Sequence, residues 1–205
     1  VNRIGQAKTK YFISCTGLEG TVIPVGAMIQ SNNRPLRTFQ AVSVSTISSS
    51  NWRKLSIRPI ESISGESTFE FGVSRNATGG EVGTHEGSSS ITKKMTVTSY
   101  SDAYSQMLAA LQGFDALSKF GISVSDELDM QGNHSIVLRT AGASDSFSAS
   151  LCKYITVSEV TSNIQFESTE YGSFVLADGV ITQIVTMVDG WTSCTNEIAP
   201  IKGLL

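Results

Sequence analysis

The 205-residue chain reads as an α+β protein that is mainly β: an antiparallel β domain interrupted by an inserted α+β unit with one main helix. Three observations predict this. Apolar residues recur mostly at every second position, which sends successive side chains to opposite faces of a strand. A single convincing stretch carries them at spacings of three and four instead. Strand candidates do not alternate with helices as a parallel sheet requires, so the helix is expected to pack on an antiparallel sheet. The β domain is expected to comprise residues 1–61 and 154–205, with the insertion at 62–153.

Tyr11-Phe12-Ile13 leads to Gly17, and Thr21-Val22-Ile23 is stopped by Pro24 and Gly26. Ala27 to Gln30 resumes before a Ser31-Asn32-Asn33 turn, which gives the pattern of a hairpin. Leu36 to Ile47 alternates through Phe39, Ala41, Val42 and Val44 as one strand, and Leu55, Ile57 and Ile60 continue after a break at Ser48 to Asn51. Phe69 to Val73 and Ile91 to Val97 flank a Gly- and Ser-rich stretch at 76–90, which has little to bury and is expected to be a long surface loop.

The helix is expected to start at an N-cap of Ser101 or Asp102 and to carry Tyr104, Met107, Leu108, Leu111, Phe114 and Leu117 on one face. Gly121 ends it, and Gly113 costs on the order of 1 kcal/mol relative to Ala, enough for a bend or break. Ile122 to Val124, Ser135 to Thr140 and Ser146 to Cys152 read as strands bounded by Gly, Asn or Asp. Val157 to Phe166, Val175 and Val180 to Val188 return to plain alternation.

Composition narrows the function. Charged residues are 16% of the chain and Ser and Thr about a quarter, so the surface is mostly neutral and polar. Fifteen Lys and Arg face eighteen acids, with no basic run longer than Lys93-Lys94, which is no footprint for a phosphate backbone. No stretch reaches the roughly 18 to 20 uninterrupted apolar residues of a membrane helix. Cys15, Cys152 and Cys194 are odd in number and widely spaced, which reads as reduced thiols rather than a disulfide framework.

Catalytic and metal signals are weak. His85 falls in the Gly- and Ser-rich stretch and His134 beside a Gly132-Asn133 turn, so neither is well placed as a base. Cys and His lack the close pairs of a zinc site. Asp126-Glu127-Leu128-Asp129 lacks the ligand spacing of a calcium loop, and a solvated turn between strands is the simpler reading. Gly79 to Gly87 is followed by no Lys-Ser or Lys-Thr, so it is not a phosphate loop. The expectation is a non-enzyme with no cofactor and no metal.

Two segments carry a resemblance. Ile181 to Asn196, containing Gly190-Trp191 and Thr195-Asn196 and followed by Ala199 and Gly203, resembles a motif of the baseplate J-like proteins of contractile-tailed phages. Cys194 stands where that family usually has Val, and Glu170 to Gly179 looks like the Gly-rich turn before this strand. At the other end, Arg3, Ala7 and Gly17 to Gly26, centred on Gly20-Thr21-Val22-Ile23-Pro24-Val25-Gly26, resemble the family's Gly-Thr-x-Ile-Pro-Ala-Gly hairpin. Val25 for Ala, Ala27 for Thr and Arg37-Thr38-Phe39 for a Gly-x-x-Phe turn are departures.

The resemblance covers residues 1–60 and 155–205. It implies structural roles for Gly20, Ile23, Pro24, Gly26, Gly190, Trp191, Thr195 and Asn196. It also implies a baseplate wedge protein in the virion tail, assembled in the bacterial host cytoplasm, that links neighbouring wedges and takes part in assembly and sheath-contraction signalling. Its partners would be other baseplate proteins and further copies of itself, and the chain would be part of a longer one. The alternative is a carbohydrate- or receptor-binding module of a tail or adhesin, suggested by the Ser and Thr content, the long loop and Trp52.

Overall fold

Period-two alternation becomes strands in the structure, a computed structural model that describes residues 7–47, 53–76, 85–129, 131–140 and 146–197. The amino-terminal segment supplies β1 (Lys8–Gly17), β2 (Val22–Ile23), β3 (Met28–Ser31), β4 (Thr38–Ala41) and β5 (Ser45–Thr46). The middle supplies β6 (Lys54–Pro59), β7 (Gly65–Asn76), β8 (His85–Val97), helices α1 (Tyr100–Gln112) and α2 (Asp115–Lys119), then β9 (Ile122–Leu128), β10 (His134–Thr140) and β11 (Ser146–Leu151). The carboxy-terminal segment supplies β12 (Ile155–Tyr171), β13 (Ile181–Ile184) and β14 (Trp191–Asn196). The fold is α+β and mainly antiparallel β. Among the described residues no helix is long and apolar enough to cross a membrane.

Two compact units result. The first joins Val1–Ser48 to Thr161–Leu205, and the second is Ser49–Val160. In the first, β13, β3, β4 and the later part of β12 lie side by side, with Ile29 opposite Phe39 and Phe166 opposite Ala41. β1 pairs both β12 and β14, and β2 pairs β5. Tyr11, Ile13, Ile23, Ile29, Phe39 and Phe166 are fully buried here, and the Tyr11 and Phe39 rings meet edge to face at 5.4 Å.

The second unit holds β6, β10 and β9 as neighbours, beside the first residues of β12, and a separate β11-β7-β8 sheet. Its core comprises Leu55, Ile57, Phe69, Phe71, Met107, Leu111, Ile136, Leu138 and Phe147. Residues 53–61 and 154–160, expected with the outer domain, fall in this unit: β6 is bonded to β10, with Leu55 opposite Leu138 and Ile57 opposite Ile136, and β12 lies on its other side.

Several boundaries differ from expectation. Leu36 to Ile47 is two strands, since Val42 to Val44 leaves the ladder before β5, and regular pairing in Val180 to Val188 is confined to β13. Residues 85–90 of the expected loop are strand: Ser88 and Ser90 lie opposite Ser74 and Gly72 of β7, so backbone bonds order a stretch with few apolar side chains. Residues 77–84, Trp52, Arg3, Ala199 and Gly203 lie outside the described residues.

The helix starts two or three residues earlier than expected. Ser99 is the N-cap, its hydroxyl accepting from the Asp102 N–H at 3.1 Å, while the Asp102 carboxylate accepts from the Thr98 N–H at 3.0 Å. Ala103, Met107, Ala110 and Leu111 form the buried face. Gly113 does interrupt the helix, and α2 resumes at Asp115.

Asp129 organises the turn from β9 to β10. Its carboxylate accepts from the Asn133 and Gln131 N–H groups at 2.8 and 2.9 Å and pairs with Arg58. The Asn133 bond foremost, then the Arg58 charge and the Gln131 bond, hold its pKa below the usual carboxylate range against the opposing effect of burial. A folded value below the unfolded one contributes stability above about pH 4, and that contribution disappears as pH falls through the folded value. Thermal melts should therefore show Asp129→Asn with a lower Tm at pH 7 and a shallower decline than wild type between about pH 4 and pH 2.

Candidate functional site

Two turns and one strand crossing bring the resemblance-bearing residues together in the first unit. Pro24 to Ala27 is a tight turn closed by the Ala27 N–H on the Pro24 carbonyl at 3.2 Å, with Gly26 at φ 81°. Type II geometry needs positive φ at that position, which Gly provides without steric cost. Ile23 just before the turn is fully buried, whereas Pro24 is exposed. The Gly20 N–H donates to the Ile47 carbonyl at 2.8 Å, and the Ile47 N–H returns a bond to Thr21 at 2.8 Å.

The crossing lies between β1 and β14. Ile13 faces Asn196, Cys15 faces Cys194, and Gly17 faces Trp191 beyond an irregularity at Thr16. The Leu18 N–H donates to the Gly190 carbonyl at 2.8 Å. A Cβ on Gly17 would lie 2.2 Å from that carbonyl oxygen, and one on Gly190 would lie 2.5 Å from Thr21 Oγ1. Both positions exclude side chains for packing reasons, and Gly190 has φ 90° besides. Trp191 follows, 6% exposed, its ring 6.2 Å from Phe166 and its indole N–H bonded to the Ser193 carbonyl at 3.0 Å.

Asn196 ties this strand to the start of β13 and to the segment before it. Its Oδ1 accepts from the Ile181 N–H at 2.8 Å, its Nδ2 donates to the Ala177 carbonyl at 2.9 Å, and its own carbonyl accepts from the Gly179 N–H at 2.8 Å. A 1% exposed amide with donor and acceptor both used is a rigid three-point clamp. Thr195 is half-buried opposite Ser14. All eight residues named from the resemblance thus lie in one unit, though the sequence divides them between its two ends.

Nearby backbone bonds present apolar side chains outward. The Met28 carbonyl accepts from both the Val185 and Thr186 N–H groups at 3.0 Å, and the Met28 N–H donates to Thr186 Oγ1 at 2.9 Å. Met28, Val185 and Met187 are exposed, Met187 by 86%. Single exposed apolar residues are ordinary, and these three lie on two segments joined by those bonds.

The second unit has its own concave features. A groove of about 820 Å³ runs past Glu66, Thr68, Glu70, Lys94, Thr96 and Tyr154. A shallower depression is lined by Gly72, Ser74, Ser88, Ser90, Ser148 and Ser150.

Asp126, named from the sequence, lies on β9 and receives the Tyr104 hydroxyl at 2.5 Å, with His134 Nδ1 3.0 Å from the same oxygen. The Tyr104 and His134 bonds hold the carboxyl below its usual range, and burial with the Asp126 bond pushes the phenol up. Here a carboxylate gathers two partners, whereas a hydrolytic triad places the imidazole between carboxylate and nucleophile. Among the described residues no group of three or more His, Cys, Asp or Glu could hold a metal ion.

Sequence reasoning anticipated neither the Cys15–Cys194 juxtaposition nor the exclusion of a side chain at Gly17. Both depend on the β1–β14 register, which leaves no local pattern. Gly17→Ala should lower the urea midpoint by an amount equivalent to about 2 kcal/mol or more, since backbone must shift to admit the methyl group. Asn196→Asp should cost about 1–3 kcal/mol by the same measurement, because a carboxylate cannot donate to Ala177 and becomes a buried charge. The chain matches no protein-family model, no curated protein and no solved structure.

Proposed function

We propose that this chain is a structural component of a contractile phage tail baseplate, a wedge protein that links neighbouring wedges around the hub. The observation that carries the reading is the meeting of the Gly20–Gly26 turn segment and the Gly190–Asn196 strand in one unit. Both segments resemble baseplate J-like motifs, and their glycines serve close backbone approach or positive φ. The role is mechanical rather than catalytic. Stiff β units transmit force through interfaces that repack when the sheath contracts, so signalling requires rigidity within a unit and exchangeable contacts at its surface. Met28, Val185 and Met187 supply an apolar contact surface for other baseplate proteins or further copies of the chain. The protein would assemble in the bacterial host cytoplasm and reside in the virion tail.

Co-expression of the tagged chain with the tail proteins encoded beside it should yield a co-purifying complex with ring-like particles in electron micrographs. Met187→Glu combined with Val185→Glu should reduce that yield at least tenfold, about 1.4 kcal/mol of association free energy or more. A tagged chain that remains alone in the presence of every tail component contradicts the proposal.

A carbohydrate- or receptor-binding module is the second reading, favoured by the groove beside Tyr154, where an aromatic ring stands among carboxylates and hydroxyls. Binding on a glycan array that Tyr154→Ala abolishes would establish it, and an inert array favours the baseplate role.

A further inference from the structure

Cys15 and Cys194 come from opposite ends of the chain, yet the antiparallel register sets them directly across from one another, between the Ser14–Thr195 and Thr16–Ser193 pairs. Alternation fixes their direction. Ile13 and Cys15 on β1, and Cys194 and Asn196 on β14, are all buried, so both thiols project to the same covered face. Directly opposed residues have Cβ atoms about 4.5–5.5 Å apart, and a disulfide needs about 3.5–4.5 Å, so an adjustment of roughly 1 Å suffices. Cys194 Sγ faces the Ile181 carbonyl at 3.8 Å, and rotation about its Cα–Cβ bond can redirect it towards Cys15.

We propose that Cys15 and Cys194 form a cross-strand thiol pair that a small-molecule disulfide oxidises to an intramolecular disulfide, covalently joining β1 to β14 in the first unit. The inference is independent of the baseplate reading. One cysteine thiolate attacks a sulfur of the external disulfide, forming a mixed disulfide and displacing one thiolate. The second cysteine thiolate then attacks the protein sulfur of that mixed disulfide. The Cys15–Cys194 bond forms and the second small thiolate leaves. Two cysteine thiols are oxidised, the external disulfide is reduced to two thiols, and the two cysteine protons pass through solvent to the leaving thiolates.

Access sets the rate. Both thiols are covered, and burial raises the Cys15 thiol well above its ordinary pKa and the Cys194 thiol to about 12, so the closed pair resists attack. Among the described residues β14 has a backbone ladder with β1 alone, and side-chain bonds from Asn196 and Cys194 hold it to Ile181, which makes local release of β14 the route of entry. Once formed, the cross-link closes a long loop in the unfolded ensemble and lowers its entropy, and long loops gain the most from closure. Cys152, in the other unit and partly exposed, is the internal control.

The test is incubation of the full chain with oxidised glutathione, with and without urea below the unfolding midpoint, followed by acid quenching, alkylation and unreduced peptide mapping. The expected product, in wild type and in Cys152→Ser, is one linked peptide pair containing Cys15 and Cys194, lighter than the separate thiols by two hydrogens. Its formation should be faster in urea and should raise Tm by about 5 °C or more, reversibly with dithiothreitol. Cys194→Val should give neither the linked pair nor the Tm increase. Recovery of Cys15 and Cys194 as free thiols in both buffers, as separate glutathione adducts, or linked to Cys152 would overturn the proposal.

Discussion

A backbone carbonyl occupies the space where a side chain at residue 17 would be. The Gly190 oxygen accepts from Leu18 at 2.8 Å, and that approach is possible only because Gly17 carries no Cβ. Much of the first unit depends on the crossing. It sets the β1–β14 register, which brings Asn196 to the turn before β13, Trp191 to Phe166, and the two buried cysteines into opposition. A protein whose first and last strands define one unit has little tolerance there, because displacement of either partner removes a clamp from the other.

The second unit is held differently. Its sheet neighbours β6, β10 and β9 are matched by apolar pairs such as Leu55 with Leu138, and its turn is fixed by a carboxylate rather than a glycine crossing. β12 serves both units along one 17-residue strand, with residues through Val160 in the second and from Thr161 in the first. Thr16 and Thr161 hydroxyls meet at 2.6 Å in the first unit, and Ser158 binds the Ser56 carbonyl at 3.1 Å in the second. Hydroxyls three residues apart on β12 thus bond to different neighbours, Ser158 to β6 and Thr161 to β1, which gives some of the abundant Ser and Thr an internal purpose.

Alternating Phe39, Ile57 and Ile136 were legible in the sequence because half-buried strands impose period two regardless of partners. The tight Pro24–Ala27 turn was legible for a similar reason, since only a few residues tolerate its dihedrals. The β8 start at His85 was not, because Gly87 to Ser90 bury almost nothing and their order derives from the backbone ladder with β7. The helix start was misplaced because Ser99, Ser101 and Asp102 are all acceptable caps, and only tertiary packing of Ala103 in place of Tyr104 selects the phase. Of the site, the glycines and Asn196 were visible only through their resemblance to a family motif. Their contacts, and the facing cysteines, are set by a register that spans nearly the whole chain.

The discontinuity of the first unit also governs the order in which the protein can mature on the ribosome. β1 to β5 emerge before β12 to β14 exist, and the whole of Ser49–Val160 is translated between them. At roughly 5–20 residues per second, the early strands wait on the order of ten seconds for their partners. During that interval Tyr11, Ile13 and Phe39 lack the neighbours that bury them, while the second unit is completed first as an uninterrupted stretch of chain. The order of synthesis therefore leaves these apolar side chains without their partners for that interval, and slower translation through the insertion lengthens the exposure.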